Sequence, residues 1–443
     1  MEFLQTASSN ALVRGFAMIP NVIQQRTGIF GEGSGGTPMG LAAVRRIVSQ
    51  SVECVSPGAR VVAIVPDKTR DDITNILLPM AIDELADRRL ASFEVLIAQG
   101  THSAMTPAEK DAKTGSSTWA DWARSTPVLD HQWDEAHDLI ELGEIGSETV
   151  AAITAGAYAQ SVKVSVNRRL SPANCDFALI FGSVVPHEVA GFAGGAKYLF
   201  PGVSGRELTN VTHWIGALSG IENVIGQVET PVRRLIETAA DMIPSRVVCF
   251  SSVVSRDEDG AMRTHALFGG DLRESFRAAA EISKEVHIRR AGRKYKRVVA
   301  LLDTHYDELW TGGKASYKLG GIIEDGGELV IHAPQITEFS RSHGAVIERF
   351  GYAPIDIIRE LVSTSPELAE NLCVAAHLAH VAYGSKPNGD HLFRITLSSA
   401  ISRERCEAAH LSYADPLKFD LGIYRGDGDT LVVQRAGRDL YIV

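Results

Sequence analysis

Five short apolar runs set the limits on what this chain can fold into. They are Val61–Val65, Phe93–Ala98, Phe177–Phe181, Val298–Leu302 and Glu328–Ile331, rich in Val and Ile and followed by polar or glycine-rich clusters. Runs of this kind read as strands buried on both faces. Segments of helical spacing separate them: over Ile73 to Arg89, the residues Ile73, Ile76, Leu77, Met80, Ile82 and Leu85 fall on overlapping faces. Strand alternating with helix predicts an α/β fold with mostly parallel sheets covered by helices. Thr106-Pro107-Ala108-Glu109 marks a helix start, with an N-cap Thr, Pro at the first helical position and Glu three residues after the cap.

At 443 residues the chain exceeds what one compact core holds, so two domains are expected. The basic stretch Arg289–Arg297 reads as a solvated connector and places the boundary. Residues 1–290 are then expected to form an N-terminal α/β domain, which the tail 425–443 can rejoin, and residues 291–424 a C-terminal α/β domain. The glycine-rich Gly31–Gly36 follows no convincing strand and reads as a flexible loop. A net charge of −10 argues against nucleic acid or an anionic membrane as partner. No apolar run approaches the roughly 18 residues of a membrane span, and Met1–Gln5 lacks the start of a secretory leader. The cysteines Cys54, Cys175, Cys249, Cys373 and Cys406 are scattered, without a CxxC pair, as in a reduced cytoplasmic protein.

The chemistry lies after the strands, where open α/β sheets bind their ligands. The first run leads into Asp67-Lys68-Thr69-Arg70, the second into Gly100-Thr101-His102, and the third into Pro186-His187 and then Ala190-Gly191-Phe192-Ala193-Gly194-Gly195-Ala196-Lys197. Polar groups delivered from three strands to one edge point to a site. Several familiar motifs fail. His187-Glu188 has Gly191 where a zinc-protease helix needs its second His. Gly312-Gly313-Lys314-Ala315 lacks the Ser or Thr of a phosphate-binding loop. Neither a Gly-x-Ser-x-Gly elbow nor a nucleotide-binding Gly-x-Gly-x-x-Gly follows a strand.

The segment from Pro186 to Lys197, with Pro201-Gly202 and then Thr212-His213, resembles the nickel-pincer lactate racemase family. Asp67-Lys68-Thr69-Arg70 and Gly100-Thr101-His102 resemble that family's first two motifs, in the same order. The resemblance implies two α/β domains with the active site in the cleft between them. It also implies a racemase or epimerase inverting C2 of a 2-hydroxy acid by reversible hydride transfer. The cofactor implied is a nickel-pincer nucleotide, pyridinium-3-thioamide-5-thiocarboxylic acid mononucleotide with Ni(II), supplied by cofactor-biosynthesis proteins. Lys197 would tether it, His213 would ligate nickel, and Asp67, Thr69, Gly194 and Gly195 would lie against it. His102 and His187 would be the acid/base pair, each expected to titrate near 6.5, and Arg70, Lys314 and Trp310 would hold the substrate.

Two departures from the family pattern fall at the substrate end. Asp71-Asp72 replaces a frequent Pro, which is expected to add negative charge beside Arg70, and Ser103 replaces a frequent Arg. Trp310 stands where the lactate enzyme has a tyrosine, so the pocket is expected to differ from that for lactate. Each residue taken alone also has a structural reading: a turn histidine for His102, a core histidine for His213, a solvent lysine for Lys197. His305, Tyr306, Gln335 and His343 are further candidates to line the pocket, whereas His131 and His137 are expected on a solvated surface. Two other functions stay open: a 2-hydroxy acid oxidoreductase with the same cofactor, and a nickel- or cofactor-binding protein without turnover.

Overall fold

The computed structural model describes residues 28–257, 259–304, 306–386 and 388–443. The N-terminal start Met1–Gln5 and His305 lie outside the described residues. Two sheets organise the chain. The first contains β1 (Phe30–Gly33), β2 (Arg60–Pro66), β3 (Ser92–Ala98), β4 (Val128–Asp130), β5 (Phe177–Ser183), β6 (Arg246–Arg256) and β7 (Met262–Gly270), in the order β1-β7-β6-β5-β2-β3-β4. Strands β6, β5, β2, β3 and β4 are parallel, with Ile64 opposite Ile180, and β7 and β1 add antiparallel at one edge. The second sheet contains β8 (Tyr295–Leu301), β9 (Ile323–Ala333), β10 (Arg394–Ser399), β11 (Ser412–Tyr413) and β12 (Thr430–Val433), in the order β11-β10-β9-β8-β12 and parallel throughout.

All five apolar runs are strands. Val61–Val65 is buried along its whole length, because helices cover both faces of the sheet. The helices that bear on the site are α1 (Leu41–Val52), α2 (Thr74–Leu85), α3 (Pro107–Thr114), α4 (Arg206–Leu218), α5 (Leu272–His287), α6 (Lys314–Leu319) and α7 (Leu372–Ala382). At α3 the expected capping box is complete: Glu109 N–H donates to the Thr106 hydroxyl, and Thr106 N–H donates to the Glu109 carboxylate. Helix α4 belongs to the first half of the chain, yet its Trp214 and Ala217 are part of the core of the second sheet. Asn210 on α4 accepts from Cys373 N–H and donates to the Glu370 carbonyl, joining α4 to the start of α7.

Three sequence expectations are corrected. Gly31–Gly36 is not a loop throughout: residues 30–33 form the edge strand β1, and a Cβ on Gly31 or Gly33 would lie within 2.3 Å of Phe268 or Ala266. The pairing is close enough to require glycine, which hid the strand from any reading based on apolar side chains. The basic stretch 289–297 is not simply a connector. Ile288–Arg290 pairs with Leu440–Ile442, and Arg289 and Arg297 bind Asp439 and Glu328. The tail itself divides: Thr430–Val433 joins the second sheet, while Leu440–Ile442 returns beside residue 288. His131 is buried rather than solvated, its Nε2–H donating to the Ser204 carbonyl and its Nδ1 accepting from Asn167, whereas His137 is exposed as expected. Among the described residues no helix is long and apolar enough to cross a membrane.

Arg233 is fully buried beneath the Phe276 ring and donates to the carbonyls of Phe192 and Gly194, bracing the loop that carries Lys197. Replacing it leaves two buried carbonyls unpaired. Arg233→Met is therefore expected to lower unfolding stability by roughly 3 kcal/mol. Urea denaturation followed by circular dichroism measures the loss.

Candidate active site

The connections of the first sheet reverse between β2 and β5. From β2 the chain moves through β3 to β4, and from β5 it moves the other way through β6 to β7. Such a switch point opens a crevice beyond the carboxyl ends of the strands. The loops after β2, β3 and β5 meet there, bringing Asp67 and Arg70, then His102, then His187 and Lys197 to one pocket. Helix α4 adds His213, and the second half of the chain closes the pocket with Trp310, Lys314, Tyr317, Cys373, His377 and His380. A basic chamber of about 270 Å³ adjoins it, with Arg70, Glu188 and Lys314 lining both.

Hydrogen bonds to neighbouring groups set the nitrogen that each histidine presents. His102 Nδ1 lies 2.5 Å from the Asp67 carboxylate, so it carries the hydrogen and leaves a lone pair on Nε2. Burial pushes the Asp67 carboxyl up, but its interaction with His102 and the hydrogen bonds from His102 and Thr69 outweigh it and hold the group below its ordinary range. His213 Nδ1 donates to the Thr209 carbonyl at 2.7 Å, again leaving Nε2 bare, and burial lowers its pKa to about 4. His187 is the opposite case. Its Nδ1 accepts from Val189 N–H at 3.1 Å, which places the hydrogen on Nε2. Burial, followed by the charges of Lys197 and Arg70, holds His187 well below the usual imidazole range. The expectation that it titrates near 6.5 fails, because the ring is 4% exposed among cations.

The lysines are also shifted. Burial, with Arg70 nearby, lowers Lys197 to about 7 and Lys314 to about 8. Trp310 lies against His377, with ring centroids 4.2 Å apart, and against His343 at 4.9 Å.

Other candidates sit elsewhere. Gly194 and Gly195 do not line the pocket; they adopt φ of +99° and +58°, and a Cβ on them would meet Val184 and Phe276. The missing Cβ atoms make room for those two side chains. Thr69 lines the adjoining chamber and donates to Asp67 through both N–H and hydroxyl. Gln335 braces the carbonyls of Asp303 and Tyr306, and Tyr306 lines the adjoining chamber. Asp71 and Asp72 do not burden Arg70 as expected. Asp71 is held by Arg256 and Arg438, while Asp72 is held by Lys113 and accepts from Thr74 N–H at the start of α2.

Sequence reasoning missed Glu188, Tyr317, His377 and His380. Two imidazoles three residues apart in the otherwise apolar α7 were a usable signal, since helical spacing places them on one face.

A lysine shifted to about 7 is mostly an uncharged amine at pH 8. In the cofactor-free chain, labelling of Lys197 by a small amine-reactive reagent should therefore rise with a midpoint near pH 7, far below that of exposed lysines near 10.4. Peptide mapping by mass spectrometry across pH reads the midpoint, and a value near 10 would contradict the burial argument.

Residues 42–223 match the lactate racemase N-terminal domain family. Lactate racemase from Thermoanaerobacterium thermosaccharolyticum is 28% identical over 154 residues, which is 34% of this chain and 32% of the relative, so the match spans about a third of that protein's length. A crystal structure of a protein from Thermotoga maritima superposes with a TM-score of 0.82 at 29% identity, covering 92% of this chain and 99% of that one. The lactate racemase apoprotein from T. thermosaccharolyticum superposes with a TM-score of 0.66 at 19% identity, covering 90% and 93%, a likeness of fold. Residues 42–223 thus match the lactate racemase N-terminal domain family, and the chain as a whole has the α/β architecture of mostly parallel sheets found in the lactate racemase apoprotein.

Proposed function

We propose that the protein is a racemase or epimerase of a 2-hydroxy acid, working in the pocket between the two sheets with a lysine-tethered nickel-pincer nucleotide. The observation that carries this reading is the meeting of His102, His187, Lys197 and His213 with Arg70 and Lys314 in one pocket, from stretches far apart in the chain. The residues fit the group. Lys197 offers a partly buried amine shifted to about 7, suited to a covalent link, and His213 offers one uncommitted nitrogen. Among the described residues no three His, Cys, Asp or Glu side chains converge to hold a metal, so the remaining donors would come from the nucleotide. Its phosphate suits the adjoining chamber, where Arg256, Arg289, Lys318 and Arg435 line the wall.

When bound, the nucleotide would supply a reversible acceptor for the C2 hydrogen and its electron pair. The chain's own residues supply the rest. Arg70 and Lys314 hold the carboxylate of the acid, Arg70 as a planar fork. His102, turned by Asp67 so that Nε2 is bare, accepts the hydroxyl proton. His187, with its hydrogen on Nε2, gives that proton to the oxygen of the turned 2-oxo acid as the C2 hydrogen returns, and after product leaves the proton taken by His102 is lost to solvent while His187 regains one. Burial excludes water, so the 2-oxo acid is retained until its hydrogen returns to the other face.

One enantiomer of a 2-hydroxy acid, incubated with cofactor-loaded protein in deuterated water, should yield the opposite enantiomer with its original C2 hydrogen. Chiral chromatography with mass spectrometry reads both features, and deuterium at C2 would show direct proton abstraction instead. His102→Ala should lower kcat by about 10²–10⁴-fold, and Lys197→Ala should leave the chain without a covalent adduct in its intact mass.

A further inference from the structure

Arg70 and Lys314, the two cations assigned to the substrate carboxylate, come from different halves of the chain. Arg70 lies in the loop after β2, and Lys314 opens α6 between β8 and β9. A carboxylate is small, so both cations can grip it only if these elements are held at a fixed separation. The turn that follows β12 lies behind both. Arg438 donates through Nε and Nη2 to one Asp303 oxygen, at 3.2 and 2.7 Å, and through Nη1 to Asp71 at 3.0 Å. Asp71 is next to Arg70 in the chain, and Asp303 lies in the loop that leaves β8. One planar guanidinium thereby joins a loop of the first sheet to a loop of the second. These side chains are 27% exposed for Arg438, 33% for Asp71 and 28% for Asp303, so the pairs are partly shielded from water and salt. The backbone of the same turn reaches α6. The Arg438 carbonyl accepts from Lys318 Nζ at 3.1 Å, and Lys318, which is buried, also donates to the Pro186 carbonyl beside His187 at 2.7 Å. Gly437 has φ of +91°, and a Cβ on it would lie 2.8 Å from the Tyr306 hydroxyl and 3.4 Å from Lys314 Cβ.

We propose that Arg438 is a positioning residue for the substrate carboxylate: through Asp71 and Asp303 it fixes the separation of Arg70 and Lys314, so that both close on one carboxylate. This rests on the racemase reading for the identity of the bound acid, while the bridge is a property of the tail. Arg438 lines the adjoining chamber and not the pocket that holds His102 and His187, so its loss acts on binding rather than on the chemical step. Every 2-hydroxy acid has the carboxylate, so the loss has the same size whatever a monocarboxylic acid carries beyond C2.

Three monocarboxylic acids test it on the cofactor-loaded full chain: lactate, 2-hydroxybutanoate and 2,3,4-trihydroxybutanoate. Calorimetry reads binding and chiral chromatography reads inversion, with rates taken per bound nickel. Arg438→Gln should raise Kd and KM about 10-fold for each acid that binds and leave kcat within about threefold. Asp71→Ala, which breaks the same bridge from its other end, should do likewise, and the double variant should be no weaker than the poorer single. A kcat loss at unchanged KM, effects that multiply in the double variant, a factor that differs from acid to acid, or tighter binding by Asp71→Ala would overturn the proposal. Should Arg438→Gln not fold, Asp71→Ala decides alone. Inversion with KM unchanged in the variants would overturn this proposal and leave the racemase reading standing. Binding that weakens in the variants, without inversion by the unaltered chain, would support the bridge and remove the racemase. Binding of none of the three acids by the unaltered chain would overturn both.

Discussion

Neighbouring parallel strands lie about 4.8 Å apart, so residues leaving the same edge of β5, β2 and β3 have little room to diverge. The site depends on that constraint. Hydrogen bonding of the three strands in register, from Val61 opposite both Phe93 and Phe177, brings the Asp67, His102 and His187 loops to one crevice without any direct contact having to draw them together. The reversal of connection between β2 and β5 keeps that crevice free of a crossover helix. Everything else in the site is built on this edge: α4 places His213 above it, and α6 and α7 close it from the second sheet.

Burial then decides the chemistry of the groups that meet. The pocket gathers Arg70, Lys197 and Lys314, and in a dry space each charge disfavours the next. The outcome is a set of neutral nitrogens: a lysine shifted to about 7, a His213 shifted to about 4 and a His187 held well below its ordinary range. Glu188 and Asp67 stay ionised because burial is outweighed, chiefly by the Lys314 charge for Glu188 and by the interactions with His102 and Thr69 for Asp67. Neutral amines and imidazoles can form covalent links, ligate metal or carry protons, whereas their charged forms on an exposed surface could not.

Much of this was legible in order and type. Asp67, Arg70, His102, His187, Lys197 and His213 follow strands or open a helix in motifs that the chain spells out, and all reach the pocket together with Lys314 and Trp310. The misreadings share a cause: side-chain type was taken as a guide to surroundings that depend on distant residues. His131 looked solvated among acidic neighbours, yet Asn167 and Ser204 bury it. Asp71 looked like a charge on the substrate, yet Arg256 and Arg438 arrive from elsewhere to hold it.

The amino-acid sequence by itself determined the alternation of strand and helix, and with it the placing of the polar clusters at carboxyl ends, because short Val- and Ile-rich runs separated by helical segments suit strands covered on both faces. Tertiary structure decided which nitrogen each imidazole presents, which charges survive burial and which residues of α6 and α7 face the site. Those properties depend on partners up to hundreds of positions away, such as Arg438 on Asp71, and on a dielectric environment that exists only after the two sheets have packed.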